Sequence, residues 1–120
     1  MSFIRECFGV SQPVIGMLHL RPLPGSPAFD GDIDVIRDGL LADSEALIEG
    51  GVHGLMIENF GDVPFYPDRV PAETIAHMTA LAAEVRNATD LPIGINMLRN
   101  DGRSALAVAQ AVDAQFIRVN

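Results

Sequence analysis

The chain has 120 residues, 48% of them hydrophobic and 20% charged, and this size and composition predict one compact domain rather than two domains or a disordered chain. It has 16 acidic residues and 8 cationic ones, all arginine, so the formal net charge is -8. Because nucleic acids and anionic lipid surfaces are bound by basic patches, this charge argues against both as partners. The lack of lysine excludes Schiff-base and P-loop lysines from this chain.

The single cysteine, Cys7, excludes an internal disulfide, and we therefore expect a reducing, cytoplasmic location. The first residues carry Glu6 and are interrupted by Gly9 and Pro13, which is unlike a signal peptide. No run approaches the roughly 18 apolar residues that a membrane-spanning helix requires. Membrane insertion is therefore not expected, and only peripheral association remains open.

Short apolar runs alternate with longer segments of helical periodicity along the whole chain. This alternation is typical of βα units around a parallel sheet. The predicted strands are residues 14–20, 54–60, 92–98 and 115–120, giving the order β-α-β-α-β-α-β. The strand-to-helix loops, residues 21–31 and 61–70, are much longer than the turns that lead back into the strands. Long loops at one end predict a functional face at the carboxyl ends of the strands.

The three predicted helices each carry a start or stop signal. The first ends at Gly50, and the second has Pro71 in its first turn and stops near Asn87. The third is an Ala-rich segment covering about residues 104–112. The candidate N-terminal caps are Asp32 or Asp34 for the first helix and Asp101 or Ser104 for the third.

Two architectures fit this order of elements: an open doubly wound sheet, or part of a TIM (β/α)8 barrel, which takes about 250 residues. The chain stops at its fourth strand with no helix to cover it. We therefore expect residues 1–120 to be the N-terminal half of a single TIM-barrel domain, with four parallel strands.

Four segments resemble one family closely: IGMLHLRPLPGSP at residues 15–27, GLMIENFGDVPF at 54–65, GINMLRND at 94–101 and FIRVN at 116–120. Together they resemble the BtpA/SgcQ family, named for a photosystem I biogenesis protein. The resemblance implies a TIM barrel similar to the ribulose-phosphate-binding barrels. It also implies members about twice as long as this chain, so that a phosphate site after strands 7 and 8 would lie outside it.

Polar side chains stand near the carboxyl ends of all four predicted strands. Parallel strands bring these ends to one edge of the sheet, so we expect the side chains to converge on one pocket. A structural interpretation stays open, in which Glu58 pairs with Arg118 or Arg99 and the amides tie the strand ends together. The candidates are His19, Arg21, Glu58, Asn59, Asn96, Arg99, Arg118 and Asn120.

Glu58 and His19 are the candidate catalytic residues, because a carboxylate and an imidazole at the strand ends can transfer protons. His19 can equally be a hydrogen-bonded core histidine. Arg118, with Arg21 or Arg99, suits an anionic metabolite because the guanidinium matches phosphate geometry. The amides Asn59, Asn96 and Asn120 complete the candidate substrate-binding set. The three histidines form no metal motif, and no cofactor is identified from the sequence.

Two classes of function therefore remain. In the first, the protein is an enzyme or binding protein for a small phosphorylated or sugar-derived metabolite. In the second, which the family name implies, it is a non-catalytic assembly or stability factor of the photosystem I biogenesis type. Phe60, Phe65 and Tyr66 form either a lid, a partner contact or a self-packed loop. The unpaired sheet edges of a half barrel predict a homo-oligomer or a second barrel half as partner.

Overall fold

A computed structural model describes residues 2–119 of the chain. The candidate site residue Asn120 lies outside the described residues. The elements alternate as the sequence predicts, with one additional helix at the start. They are α1 Phe3–Phe8, β1 Ile15–His19, α2 Ile33–Glu49, β2 Gly54–Glu58, α3 Ala72–Ala88, β3 Ile93–Asn96, α4 Gly102–Val112 and β4 Phe116–Arg118.

The strands form one 4-stranded sheet in the order β1-β2-β3-β4, and every neighbouring pair is parallel. The α/β class and the four parallel strands are thus confirmed. A doubly wound sheet reverses its strand order at a switch point, whereas the described strands follow one another without a reversal. The carboxyl ends of consecutive strands therefore lie side by side along a single edge.

The helix starts follow the capping chemistry of the sequence, with one difference. Asp32 caps α2, since its side chain accepts from two backbone amides of the first turn. Asp101, and not Ser104, caps α4 by accepting from the Ser104 amide. Pro71 is not inside the first turn of α3. It lies just before the helix in extended conformation, as the last residue of the preceding loop.

The hydrophobic core lies between the sheet and helices α2, α3 and α4. In β1, Leu18 is buried while its neighbours Met17 and His19 are exposed, so alternate residues face the helices and the opposite side of the sheet. Each large side chain buried in this way contributes about 1.5–3 kcal/mol. The strand residues of this core are Leu18, Leu55, Ile57, Ile93 and Ile95, and the helix residues include Ile36, Leu40, Met78, Leu81, Val85 and Val108.

Two aromatic rings cover part of the opposite face of the sheet. Phe8 comes from α1 and Phe116 from β4, and their ring centroids lie 5.5 Å apart in an edge-to-face arrangement. A Cβ atom at Gly54 would lie 2.6 Å from the Phe8 ring, and one at Gly94 would overlap the Phe116 ring. Glycine at these two strand positions is therefore what admits the rings.

Candidate functional site

Four of the candidate residues occupy one level of the sheet. His19 pairs with Glu58, Glu58 with Asn96, and Asn96 with Arg118 in the registers of successive strands. Residues paired across neighbouring strands point to the same face. The four side chains thus form a continuous polar row across the carboxyl ends of β1 to β4, on the face away from the helices. We call this set the polar row.

Glu58 is the centre of the polar row and is buried. Its Oε2 accepts a hydrogen bond from Asn96 Nδ2 at 2.7 Å, and its Oε1 lies 3.5 Å from His19 Nε2. The partners that the structure gives this carboxylate are therefore an amide and an imidazole, where the sequence suggested arginines. Both oxygens are oriented by neighbouring strands, which fixes the carboxylate in place.

His19 is accessible rather than part of the core. Its side chain is 45% exposed against 6% for Glu58, and its ring stacks on Phe60 with centroids 4.3 Å apart and planes inclined by 14°. Phe60 itself is 51% exposed and belongs to the wall of the site. The predicted second strand, residues 54–60, includes Phe60, whereas in the structure β2 ends at Glu58 and Phe60 follows it in a turn.

Asn96 carries an unsatisfied polar atom in the polar row. The residue is 2% exposed, its Nδ2 donates to Glu58, and its buried Oδ1 has no hydrogen-bond partner. A buried acceptor without a partner costs free energy. The exposed side chain of Arg118, next to Asn96 in the register, carries donors of the type that this oxygen lacks.

The remaining candidates are not members of the polar row, although Arg21 lines a cavity that His19 of the row also lines. Asn59 ties β2 to the end of β3, since its Oδ1 accepts from the Leu98 amide at 2.7 Å and its Nδ2 donates to the Leu98 carbonyl at 3.3 Å. Arg21 is exposed beside a cavity of about 130 Å³ that Gly39 and Asp43 of α2 also line. Arg99 is exposed, and its backbone amide donates to the Tyr66 carbonyl.

A larger cavity of about 300 Å³ lies between the two long strand-to-helix loops. Asp62 is its charged lining residue, and Asp62 Oδ1 accepts from the Leu23 amide at 2.8 Å. Burial raises the pKa of Asp62 above its usual value, and hydrogen bonds from Leu23 and Asn59 only partly oppose this rise. The lining residues are Gly25, Ser26, Pro27, Asn59, Asp62, Pro64, Phe65, Tyr66, Pro67, Val70, Thr74 and Leu98.

Asp101 anchors the loop that enters α3 to the start of α4. Its carboxylate accepts from the Val70 amide at 2.8 Å, from the Ser104 amide at 3.0 Å and from the Ser104 hydroxyl. Burial acts to raise the pKa of Asp101, but the bonds from Ser104 and Val70 and the charge of Arg69 outweigh it and hold the pKa below its usual value. The ionised carboxylate is thus the form that the fold stabilises.

Residues 2–119 contain no group of three or more histidine, cysteine or carboxylate side chains arranged to hold a metal ion. Over the same residues, every helix is too short or too polar to cross a lipid bilayer.

The fold and the polar row define a parallel α/β protein whose candidate site lies at the carboxyl edge of its sheet. The particular family follows from sequence comparison: the BtpA family model matches residues 10–120, and the chain belongs to the BtpA family. No solved structure matches the chain.

Relatives come from archaea and bacteria. An uncharacterized protein of Thermococcus kodakarensis is 48% identical over 109 residues, which are 91% of this chain and 41% of the relative. The photosystem I biogenesis protein BtpA of Synechocystis is 43% identical over 96% of this chain and 40% of its own length. The sgc region protein SgcQ of Escherichia coli is 36% identical over 98% of this chain and 44% of its own length. The chain therefore spans less than half the length of these relatives.

Proposed function

We propose that this chain forms the N-terminal half of a TIM barrel that binds or converts a small phosphorylated or sugar-derived metabolite at the carboxyl ends of its strands. The observation that carries the proposal is the polar row, in which four strands place His19, Glu58, Asn96 and Arg118 at one level. Consecutive parallel strands with long loops at their carboxyl ends are the arrangement of barrel enzymes. The remainder of the barrel, or a second copy of the chain, then pairs with the outer edges of β1 and β4.

Each member of the site has a chemical role in this proposal. His19 is accessible and faces a fixed carboxylate, so the pair is suited to move a proton to or from a bound ligand. Arg118 anchors an anionic group through its guanidinium. The exposed ring of Phe60 offers an apolar surface against which the face of a sugar ring packs. Asn96 orients Glu58 through the hydrogen bond that its Nδ2 donates.

A binding screen on the full-length protein tests the proposal. Sugars and sugar phosphates are titrated by calorimetry into the unchanged protein and into Glu58→Gln and Arg118→Gln. The exposed Glu45 of α2 and Arg103 of α4 provide matched controls as Glu45→Gln and Arg103→Gln. We expect the two site variants to weaken binding at least about tenfold, the range for charged hydrogen bonds. Equal affinity in the site and control variants would overturn the proposal.

A second candidate function is a non-catalytic assembly factor, favoured by the name of the Synechocystis relative at 43% identity. The exposed apolar side chains of the second loop, Phe60, Val63 and Tyr66, would then form the partner contact. In that case Val63→Ser and Tyr66→Ser reduce assembly of the partner complex in cells, whereas Glu58→Gln does not. The opposite pattern supports the metabolite site.

A further inference from the structure

The cavity between the two long loops is separate from the polar row, since none of its lining residues belongs to that row. Its walls are held by hydrogen bonds between distant segments. Asp62 accepts from Leu23, Asn59 and Leu98 bond reciprocally, and the Arg99 amide donates to the Tyr66 carbonyl. The cavity is thus formed by the fold itself and is not created by closure of a loop.

The charge of the cavity selects a class of ligand. Asp62 is the charged side chain among the described residues that line it. Its hydrogen-bond partners, the Leu23 amide and the Asn59 side chain, are both neutral. Burial removes water from around a carboxylate. Where no cation takes the place of that water, a positively charged ligand group stabilises the carboxylate. An anionic ligand would be repelled by Asp62, and none of the described lining residues is an arginine that could offset this repulsion.

The rest of the lining is suited to an apolar body of modest size. Phe65 and Tyr66 offer aromatic faces, which attract cations as well as hydrocarbon, and three prolines, Val70 and Leu98 add rigid apolar surface. Thr74 is buried, and the buried Ser26 hydroxyl has no hydrogen-bond partner. A volume of about 300 Å³ admits a small metabolite.

We propose that this cavity is a second binding site, which takes a small molecule with a primary ammonium group and an apolar body. The ammonium group pairs with Asp62, and the body packs against Phe65, Tyr66 and the prolines. This site is independent of the proposed metabolite site, because binding at Asp62 requires no residue of the polar row.

Three probes that share one ring test the charge argument on the full-length protein: benzylamine, benzyl alcohol and benzoate. Binding is followed by calorimetry and by NMR shifts of the Tyr66 and Phe65 rings. We expect benzylamine to bind at least about tenfold more tightly than benzyl alcohol, and benzoate more weakly than either, as expected for one partly buried charge pair. Equal binding of benzylamine and benzyl alcohol, or no binding by any probe, would overturn the proposal.

A matched pair of variants identifies the carboxylate responsible. Asp62→Asn keeps an oxygen that accepts from Leu23 and should lower benzylamine affinity to the level of benzyl alcohol. Asp68→Asn removes the same charge from an exposed position in the same loop and should leave benzylamine affinity within about twofold. Equal effects of the two variants would contradict the assignment.

The unchanged protein supplies an independent measurement. If Asp62 holds the ammonium group, benzylamine affinity falls on acidification as Asp62 becomes protonated, while benzyl alcohol affinity stays constant. A benzylamine affinity that does not change through this range would overturn the proposal without any variant.

Discussion

Asn96 donates its side-chain amide to Glu58 Oε2 at 2.7 Å, across a register pair that joins β3 to β2. This bond fixes which end of the Asn96 amide faces the carboxylate, since the opposite orientation would bring two oxygens together. It therefore also determines that Oδ1 is the atom left without a partner. The orientation of one amide thus sets both the position of the carboxylate and the unused acceptor beside it.

Asn96→Asp places a second carboxylate against Glu58, and we expect it to lower the free energy of unfolding by about 1–3 kcal/mol at neutral pH. Two carboxylates at hydrogen-bond distance cannot both be ionised without repulsion, but one proton between them restores a hydrogen bond. The loss should therefore shrink as the pH is lowered towards about 4. Urea unfolding at several pH values measures it, with the exposed Asn87→Asp as control. A loss that stays constant with pH would refute the explanation.

Gly94→Ala should destabilise the protein by about 1–3 kcal/mol, because the new methyl group meets the Phe116 ring on the face of the sheet away from the helices. Phe116→Leu should reduce this penalty when the two changes are combined, which a double-mutant cycle measures. Gly39→Ala is the matched control: the nearest atom to its Cβ is Arg21 Nε at 4.0 Å. We expect this change within α2 to stabilise by up to about 1 kcal/mol. Additive effects of Gly94→Ala and Phe116→Leu would contradict direct contact.

Asp101→Asn should cost about 1–3 kcal/mol at neutral pH, since an amide cannot accept all the bonds that the carboxylate accepts. The pKa of Asp101 lies below its ordinary 3.8, so its stabilising contribution is present above that value. It is lost as the pH falls through the lowered pKa. The difference between variant and unchanged protein should thus vanish in strong acid. Asp90→Asn, at an exposed position, should show no such dependence in the same unfolding experiments.

Asp62 is expected to show the opposite dependence on pH. Because burial raises its pKa, the folded state binds a proton more readily than the unfolded chain. Stability contributed by this residue is therefore full below the usual pKa and falls as the pH rises through the raised value. Asp62→Asn removes that decline, so the variant should be as stable as the unchanged protein in acid and more stable at neutral pH. Thermal melts across this pH range measure whether the variant gains or loses stability. An Asp62→Asn variant that is less stable than the unchanged protein at neutral pH would contradict the prediction.

The order of strands and helices could be predicted from the sequence, because each element has enough residues to show its periodicity. Helix α1 could not: it has six residues and none is buried, so it has no apolar face to detect. Phe8 at its end packs over Gly54 and against the ring of Phe116, which lies 108 positions along the chain. Contacts of this kind depend on the three-dimensional arrangement of the sheet.

The chemistry of the site was predictable only in part. Counting from the strand ends finds His19, Glu58, Asn96 and Arg118, and the structure places these four in one register. The same counting cannot choose the partner of Glu58, because its neighbours come from other strands and several polar residues stand at similar distances from the strand ends. Nor can this counting show that Asn59 and Glu58, which are neighbours in the sequence, have different partners. Asn59 bonds to Leu98, and a shift of one residue is enough to send a side chain to the other side of the sheet.

The strand order also has a consequence for how the sheet is made on the ribosome. Chains are synthesised from the amino end at about 5–20 residues per second, and here every strand after β1 pairs with the strand that precedes it. Each emerging strand therefore meets a finished edge and does not wait for a partner still to be translated. The sheet can therefore grow by successive addition of strands.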